Sequence, residues 1–90
     1  MAKAEISWKR EDEFGMTLQV YAQHVSREWR FFHRQKRFDQ WQAVPNPPLE
    51  DWLELLDSVR RRINRRLLKP EEEARVIKSI RERFPEAKVE

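Results

Sequence analysis

Hydrophobic and polar residues alternate with a period of two through the first half of the chain. Ile6 and Trp8 have polar neighbours, and in the clearest run, from Met16 to Ala22, an apolar residue occupies every second position. Such alternation is typical of a β-strand with one buried face. The only glycine, Gly15, directly precedes this run. We therefore expect Gly15 to hold the positive φ angle that the hairpin loop requires.

Two more strands are predicted before the proline-rich segment. The first spans 28–34, and its side chains divide between two faces: Trp29, Phe31 and His33 on one, Arg30, Phe32 and Arg34 on the other. The second spans 38–44.

The loop between these two strands decides their register. A three-residue loop sets Phe31 opposite Trp41, Trp29 opposite Ala43 and His33 opposite Asp39; a two-residue loop sets Phe31 opposite Gln40. The first register is preferred because it brings both tryptophans onto the core face. A different interpretation makes 26–41 one helix, but Gln35, Lys36 and Arg37 interrupt its apolar stripe.

The second half of the chain changes to a helical period. Residues 45–48 contain three prolines and end the sheet, and Asn46 is a candidate N-cap for the next helix. The predicted helix, 49–68, has an apolar stripe that consists of Leu49, Trp52, Leu53, Leu56, Val59, Ile63 and Leu67. Leu55 and Leu68 lie outside this stripe. A second helix is predicted from Glu71, where acids favour the helix N-terminus, to Pro85.

Strands followed by helices predict an α+β domain. We expect an antiparallel meander of three to four strands and then two helices packed on one sheet face, in the order β-β-β-β-α-α. The chain of 90 residues is read as one domain. Its parts are a sheet over 5–44, a link over 45–48, two helices over 49–84 and a frayed tail over 86–90.

The composition excludes several classes of function but does not identify one. The chain has no cysteine, which removes disulfides and thiol catalysis, and its formal net charge is only +3. A histone-like nucleic-acid binder would be far more basic. No apolar run is long enough for a secretory signal or a membrane span, so we expect a cytoplasmic protein with no membrane partner.

A ten-residue stretch, Arg60 to Lys69, which we call the basic segment, carries six positive charges and no acid: Arg60, Arg61, Arg62, Arg65, Arg66 and Lys69. It is the first candidate site, for an anionic partner. The competing interpretation is an ordinary helix end, where cations offset the dipole. The second predicted helix also begins with acids and ends with bases, which favours that interpretation.

The second candidate is the outer face of the predicted sheet. It combines aromatic and basic side chains: Tyr21, Arg30, Phe32, Arg34 and Phe38, with Lys9, Gln19, Gln40 and Gln42 around them. Such a surface suits cross-strand aromatic pairing, a protein or homodimer interface, or stacking of nucleic-acid bases.

No residue set in the sequence predicts an enzyme. The two histidines, His24 and His33, lack a third convergent metal ligand, and no phosphate loop or nucleophile motif occurs. We therefore predict no catalytic residue, metal, cofactor or small-molecule substrate. The expected role is protein–protein interaction or self-association. The alternative is nucleic-acid binding through the basic segment and the sheet face.

Overall fold

A computed structural model describes residues 5–37 and 39–89. The elements follow the order β-β-β-β-α-α. The strands are β1 (Glu5–Glu11), β2 (Thr17–Val25), β3 (Glu28–Arg34) and β4 (Gln42–Val44), and the helices are α1 (Leu49–Asn64) and α2 (Glu71–Arg83). The chain is α+β, as the sequence predicts, and the helix proposed as an alternative for 26–41 is wrong.

The four strands form one antiparallel sheet in the order β1-β2-β3-β4. Trp8 lies opposite Val20, and Ala22 lies opposite Phe31, so the alternating apolar positions of three strands share one face. Its most buried members are Ile6, Leu18, Val20, Ala22 and Phe31. The period-two pattern of the sequence therefore corresponds to one buried and one more exposed sheet face.

The β1–β2 loop is organised by one aspartate and one glycine. Asp12 Oδ1 accepts hydrogen bonds from the backbone N–H groups of Phe14 and Met16, both at 2.9 Å. These bonds, the one from Met16 first, lower the pKa of Asp12 because they stabilise its ionised form. Gly15 has φ +78°, so the prediction of a positive φ at this residue is confirmed.

The β2–β3 turn has two positive φ angles without a glycine. Val25 pairs with Glu28, which leaves a two-residue loop of Ser26 (φ 49°) and Arg27 (φ 69°). Two successive positive φ angles are those of a type I′ turn, whose twist matches that of the strands. The preferred residues there are Asn and Gly, so this turn holds two residues in a costly conformation.

The predicted fourth strand is wrong in length and register. The strand is only Gln42–Val44, and Phe31 pairs with Val44, His33 with Gln42. Asp39 explains the difference: its side chain accepts a bond from Lys36 N at 3.1 Å and its backbone N–H bonds the Lys36 carbonyl. This local turn competes with strand pairing, so the predicted partners of Phe31, Trp29 and His33 do not form.

The first helix is shorter than predicted and buries a different edge. It ends at Asn64 rather than 68, and Leu67 is 63% exposed. Leu55, placed outside the predicted stripe, is fully buried, whereas Leu53 is 42% exposed. Trp52 is buried, as expected for the apolar face of this helix.

The predicted N-cap of α1 is also wrong. Pro48, not Asn46, occupies the N-cap position, and no side chain caps the helix. Pro47 and Pro48 separate Asn46 from the first turn, and the Pro48 carbonyl accepts bonds from the N–H groups of Asp51 and Trp52. The cap is therefore supplied by backbone geometry alone.

The second helix begins at Glu71, as predicted, and buries Val76 and Ile80 completely. Beyond it, Arg81 donates a 2.8 Å hydrogen bond to the carbonyl of Val89, which is itself buried. Residues 86–89 thus carry contacts that the prediction of a frayed tail did not include; Glu90 lies outside the described residues.

The chain forms two compact units, divided between Asn46 and Pro47, one with the sheet and one with the helices. Across residues 5–37 and 39–89, neither helix combines the length and the hydropathy that crossing a membrane requires.

Candidate functional site

Three rows of side chains cross the more exposed face of the sheet. The central row has two aromatic residues at its middle: Ser7 lies opposite Tyr21, Tyr21 opposite Phe32, and Phe32 opposite Ala43. We call this side of the sheet the aromatic face. Because opposite residues in antiparallel strands lie roughly 4.5–5.5 Å apart, each row is a continuous strip of contacting side chains.

The aromatic rings of this face pack on each other. Tyr21 and Phe32 are stacked, with ring centroids 4.7 Å apart and an interplanar angle of 17°. Trp41 joins them from the segment before β4, with its ring edge-on to Tyr21 at 4.7 Å and 87°. The prediction that Trp41 lies on the core face is therefore wrong, because the seven-residue connection 35–41 carries it to the opposite side.

Arg34 connects the aromatic row to the next row. Its guanidinium lies over the Trp41 ring, 4.2 Å from the centroid, and its Nε donates a 2.7 Å hydrogen bond to Gln19 Oε1. Gln19 lies opposite both Lys9 and Arg34, so two cations flank one amide. The guanidinium is thus held in place by two different interactions, which lowers the entropy it loses on binding a partner.

The third row contains acidic and basic groups. Gln23 lies between Glu5 and Arg30, and its side-chain amide donates a 3.2 Å bond to the Glu5 carboxylate. Burial raises the pKa of Tyr21, and the negative charge of Glu5 adds to the effect. The Tyr21 hydroxyl therefore stays protonated at neutral pH, when it can both donate and accept a hydrogen bond.

A shallow groove runs beside Trp41. Its volume is about 420 Å³. It is lined by Ser7, Trp8, Lys9, Gln19, Val20, Arg34 and Trp41. Aromatic surface, an amide and two cations therefore meet in one concave region.

The structure brings together most, but not all, of the predicted sheet-face residues. Tyr21, Arg30, Phe32 and Arg34 lie on the aromatic face as predicted. Gln42 pairs with His33 and belongs to the other face, which corrects its predicted place. Phe38 lies outside the described residues.

The basic segment is only partly helical, because α1 ends at Asn64. Arg61 contacts Asp57 at 3.0 Å, one helical turn earlier, and Arg60 contacts Glu73 of α2 at 3.6 Å. Ion pairs of exposed groups contribute about 0–1 kcal/mol each. These contacts support the interpretation of the N-terminal part of the segment as an ordinary helix surface.

The last three cations of the segment lie beyond the helix. Arg66 has φ 61°, its N–H bonds the Ile63 carbonyl at 2.9 Å, and the N–H of Leu67 bonds the Arg62 carbonyl at 2.8 Å. This is the hydrogen-bond pattern of a Schellman C-cap. Among the described residues, the side chains of Arg65, Arg66 and Lys69 form no ion pair.

The two histidines do not form a site with each other. His24 lies opposite Trp29, with rings 4.8 Å apart, and His33 lies opposite Val20 and Gln42. The predicted pair of His33 and Asp39 is wrong, because Asp39 belongs to the Lys36 turn. In the part of the chain that is described, no three His, Asp or Glu side chains lie close enough to share a metal ion.

Trp41 is the residue of this surface that sequence reasoning missed. Its neighbours in the sequence, Gln40 and Gln42, are both polar and do not indicate on which face of the sheet Trp41 lies. Comparison of the chain with protein-family models, curated proteins and solved structures finds no match.

Proposed function

We propose that this chain is a non-enzymatic binding module that contacts another protein through its aromatic face. The observation that supports the proposal most is the cluster of Tyr21, Phe32, Trp41 and Arg34, in which Trp41 remains 37% exposed. Tyr, Trp and Arg are the residues most enriched at the energetic centres of protein interfaces.

The ring geometry favours a protein partner over single-stranded nucleic acid. Stacking of a base requires a free ring face. Here Tyr21 and Phe32 stack on each other and Arg34 covers one face of Trp41, so fewer ring faces are available to bases than three separate rings would offer. Packed side chains with fixed rotamers also lose little entropy on binding, which suits a preformed protein interface.

The groove next to Trp41 gives the interface a centre. Lys9 and Arg34 make it positive, so a partner with an acidic side chain beside an apolar one matches its chemistry. Because the chain has no cysteine and needs no oxidising compartment to fold, the proposal places this interaction in the cytoplasm.

The test compares three immobilised proteins, the wild type, Phe14→Ala and Trp41→Ala, after each is exposed to an extract of the native cells. A protein retained by the wild type and by Phe14→Ala, but lost with Trp41→Ala, is the expected result. Phe14 is a matched control because it is an aromatic residue 80% exposed in the β1–β2 loop. Retention of the same proteins by all three would refute the proposal, provided that circular dichroism shows all three folded.

A second candidate function rests on the end of the basic segment. Arg65, Arg66 and Lys69 are exposed and carry no ion pair among the described residues, so they are available for phosphates. Binding of short RNA or DNA at low salt should weaken steeply as salt rises. Arg65→Gln with Arg66→Gln should remove it, whereas Arg61→Gln, whose side chain is already paired with Asp57, should not. Undetectable binding at low salt would exclude this function.

A further inference from the structure

The first strand forms an edge of the sheet and has neither the proline nor the bulge that often protects such edges. Among the described strands, β1 has β2 as its only neighbour. It spans seven residues, pairs without a bulge from Glu5 to Glu11, and contains no proline. The opposite edge, β4, has only three residues. Long, regular edges present unpaired N–H and C=O groups and readily accept another strand.

The sequence of β1 is complementary to itself in one antiparallel register. If two copies meet with Ser7 opposite Ser7, each Glu5 lies opposite the Lys9 of the other copy. Each Ile6 then lies opposite the other Trp8. A two-fold axis perpendicular to the sheet keeps equivalent faces on the same side, so both Glu5–Lys9 pairs lie on the aromatic face. Glu5 and Lys9 are exposed there.

Neighbouring registers are less favourable. Pairing centred on Trp8 sets Glu5 opposite Glu11 twice, and pairing centred on Lys9 sets the two lysines opposite each other. Like charges directly opposite destabilise a strand pair, whereas opposite charges and an aromatic opposite a β-branched residue stabilise it. Charge complementarity therefore selects the register centred on Ser7.

We propose that β1 pairs with β1 of a second copy of this chain, centred on Ser7, to give a two-fold symmetric dimer with a continuous eight-stranded sheet. We assign a second copy to the β1 edge because the charges of this strand are complementary to themselves in the antiparallel register: Glu5 of each copy lies opposite Lys9 of the other. The proposal does not depend on the function of the aromatic face, although the dimer would place two such faces side by side.

Single cysteines test the register, because the natural chain has none. In the proposed dimer the two Cα atoms of residue 7 lie about 4.5–5.5 Å apart, within the range that a disulfide spans. Those of residue 9 are separated by four residues along the strands, about 13 Å. Under mild oxidation Ser7→Cys should therefore form a covalent dimer rapidly, while Lys9→Cys and the loop control Lys36→Cys should not.

Charge reversal tests the pairing independently. Glu5→Lys and Lys9→Glu should each weaken the dimer on the order of tenfold, because each replaces two attractions by two repulsions. The double variant should restore the affinity of the wild type. Lys36→Glu makes the same change of net charge as Lys9→Glu, but in the β3–β4 loop, and should leave the affinity of the dimer unchanged. Sedimentation equilibrium over a wide concentration range measures all four variants.

Two results would overturn the proposal. One is a wild type that stays monomeric at all concentrations, with Ser7→Cys cross-linking no faster than Lys36→Cys. The other is a dimer that is insensitive to both charge reversals. Failure of the aromatic face as a binding site is a separate outcome, since Trp41→Ala leaves β1 unchanged and would abolish partner capture without affecting the dimer.

Discussion

The protein should be more stable with glycine than with arginine at position 66, because the backbone of Arg66 lies in the left-handed region. Arg66 is the residue after the C-cap of α1 and has φ 61°. A side chain in this conformation costs roughly 1–2 kcal/mol, which glycine avoids. Glycine also makes the unfolded chain more flexible, which costs about 0.4–1 kcal/mol. We expect Arg66→Gly to raise the free energy of unfolding by about 0–1.5 kcal/mol.

The neighbouring residue provides the control. Arg65 has φ −90° and ψ 4°, a conformation that arginine adopts without the left-handed penalty. Arg65→Gly removes the same charge but should lower the free energy of unfolding by about 0.4–1 kcal/mol. In a chain of 90 residues, 1 kcal/mol corresponds to a Tm shift of about 4–8 °C. Thermal unfolding followed by circular dichroism at the helical band measures both.

Opposite signs at adjacent arginines are the expected result. If Arg66→Gly and Arg65→Gly destabilise the protein equally, the left-handed C-cap does not exist in solution. A third variant, Arg66→Ala, separates charge from backbone. This variant loses the guanidinium but keeps the energetic cost of a Cβ atom at a positive φ angle, so its Tm should stay close to that of the wild type.

Three further results are expected. Trp52→Ala should destabilise the helical unit by about 3–5 kcal/mol in denaturant unfolding, whereas Leu53→Ala, at a half-exposed position, should cost far less; equal costs would place the wrong edge of α1 in the core. The lowered pKa of Asp12 means that its contribution to stability is present above the unfolded-state pKa and is lost as pH falls through the folded-state value, so Asp12→Asn should destabilise at neutral pH and have little effect in strong acid. Unfolding curves at several pH values check this, and a pH-independent effect contradicts it. Replacing Ser26-Arg27 by Asn-Gly should stabilise the β2–β3 hairpin by roughly 0.5–1 kcal/mol, and an unchanged or lower Tm would mean that the turn is not type I′.

Period-two alternation was sufficient to predict most of the sheet. Tyr21 and Phe32 alternate with the buried residues Val20, Ala22 and Phe31, so their place on the outer face follows from the pattern. The sequence contains no comparable signal for the β2–β3 turn, since Ser26 and Arg27 are not residue types that commonly adopt positive φ angles. Pairing of the flanking strands imposes that conformation.

The place of Trp41 could not be predicted, because it depends on the length of a loop. Shifting a strand by one residue exchanges its two faces, and the Asp39–Lys36 turn occupies residues that the prediction assigned to β4. The burial of Leu55 instead of Leu53 in α1 could not be predicted for a similar reason. Leu53 belongs to the predicted apolar stripe and Leu55 lies outside it, and only tertiary packing determines which of them is buried.

The central claim is that the aromatic face binds a protein, and site-specific photo-crosslinking in the native cells tests it most directly. A benzophenone side chain at Ala43, an exposed position opposite Phe32, lies at the rim of the cluster without replacing any member of it. The control places the same group at Phe14, in the β1–β2 loop. We predict a covalent adduct of defined mass from position 43 and none from position 14, and its loss when Trp41→Ala is added. No adduct at position 43, or the same adducts from both positions, would contradict the claim.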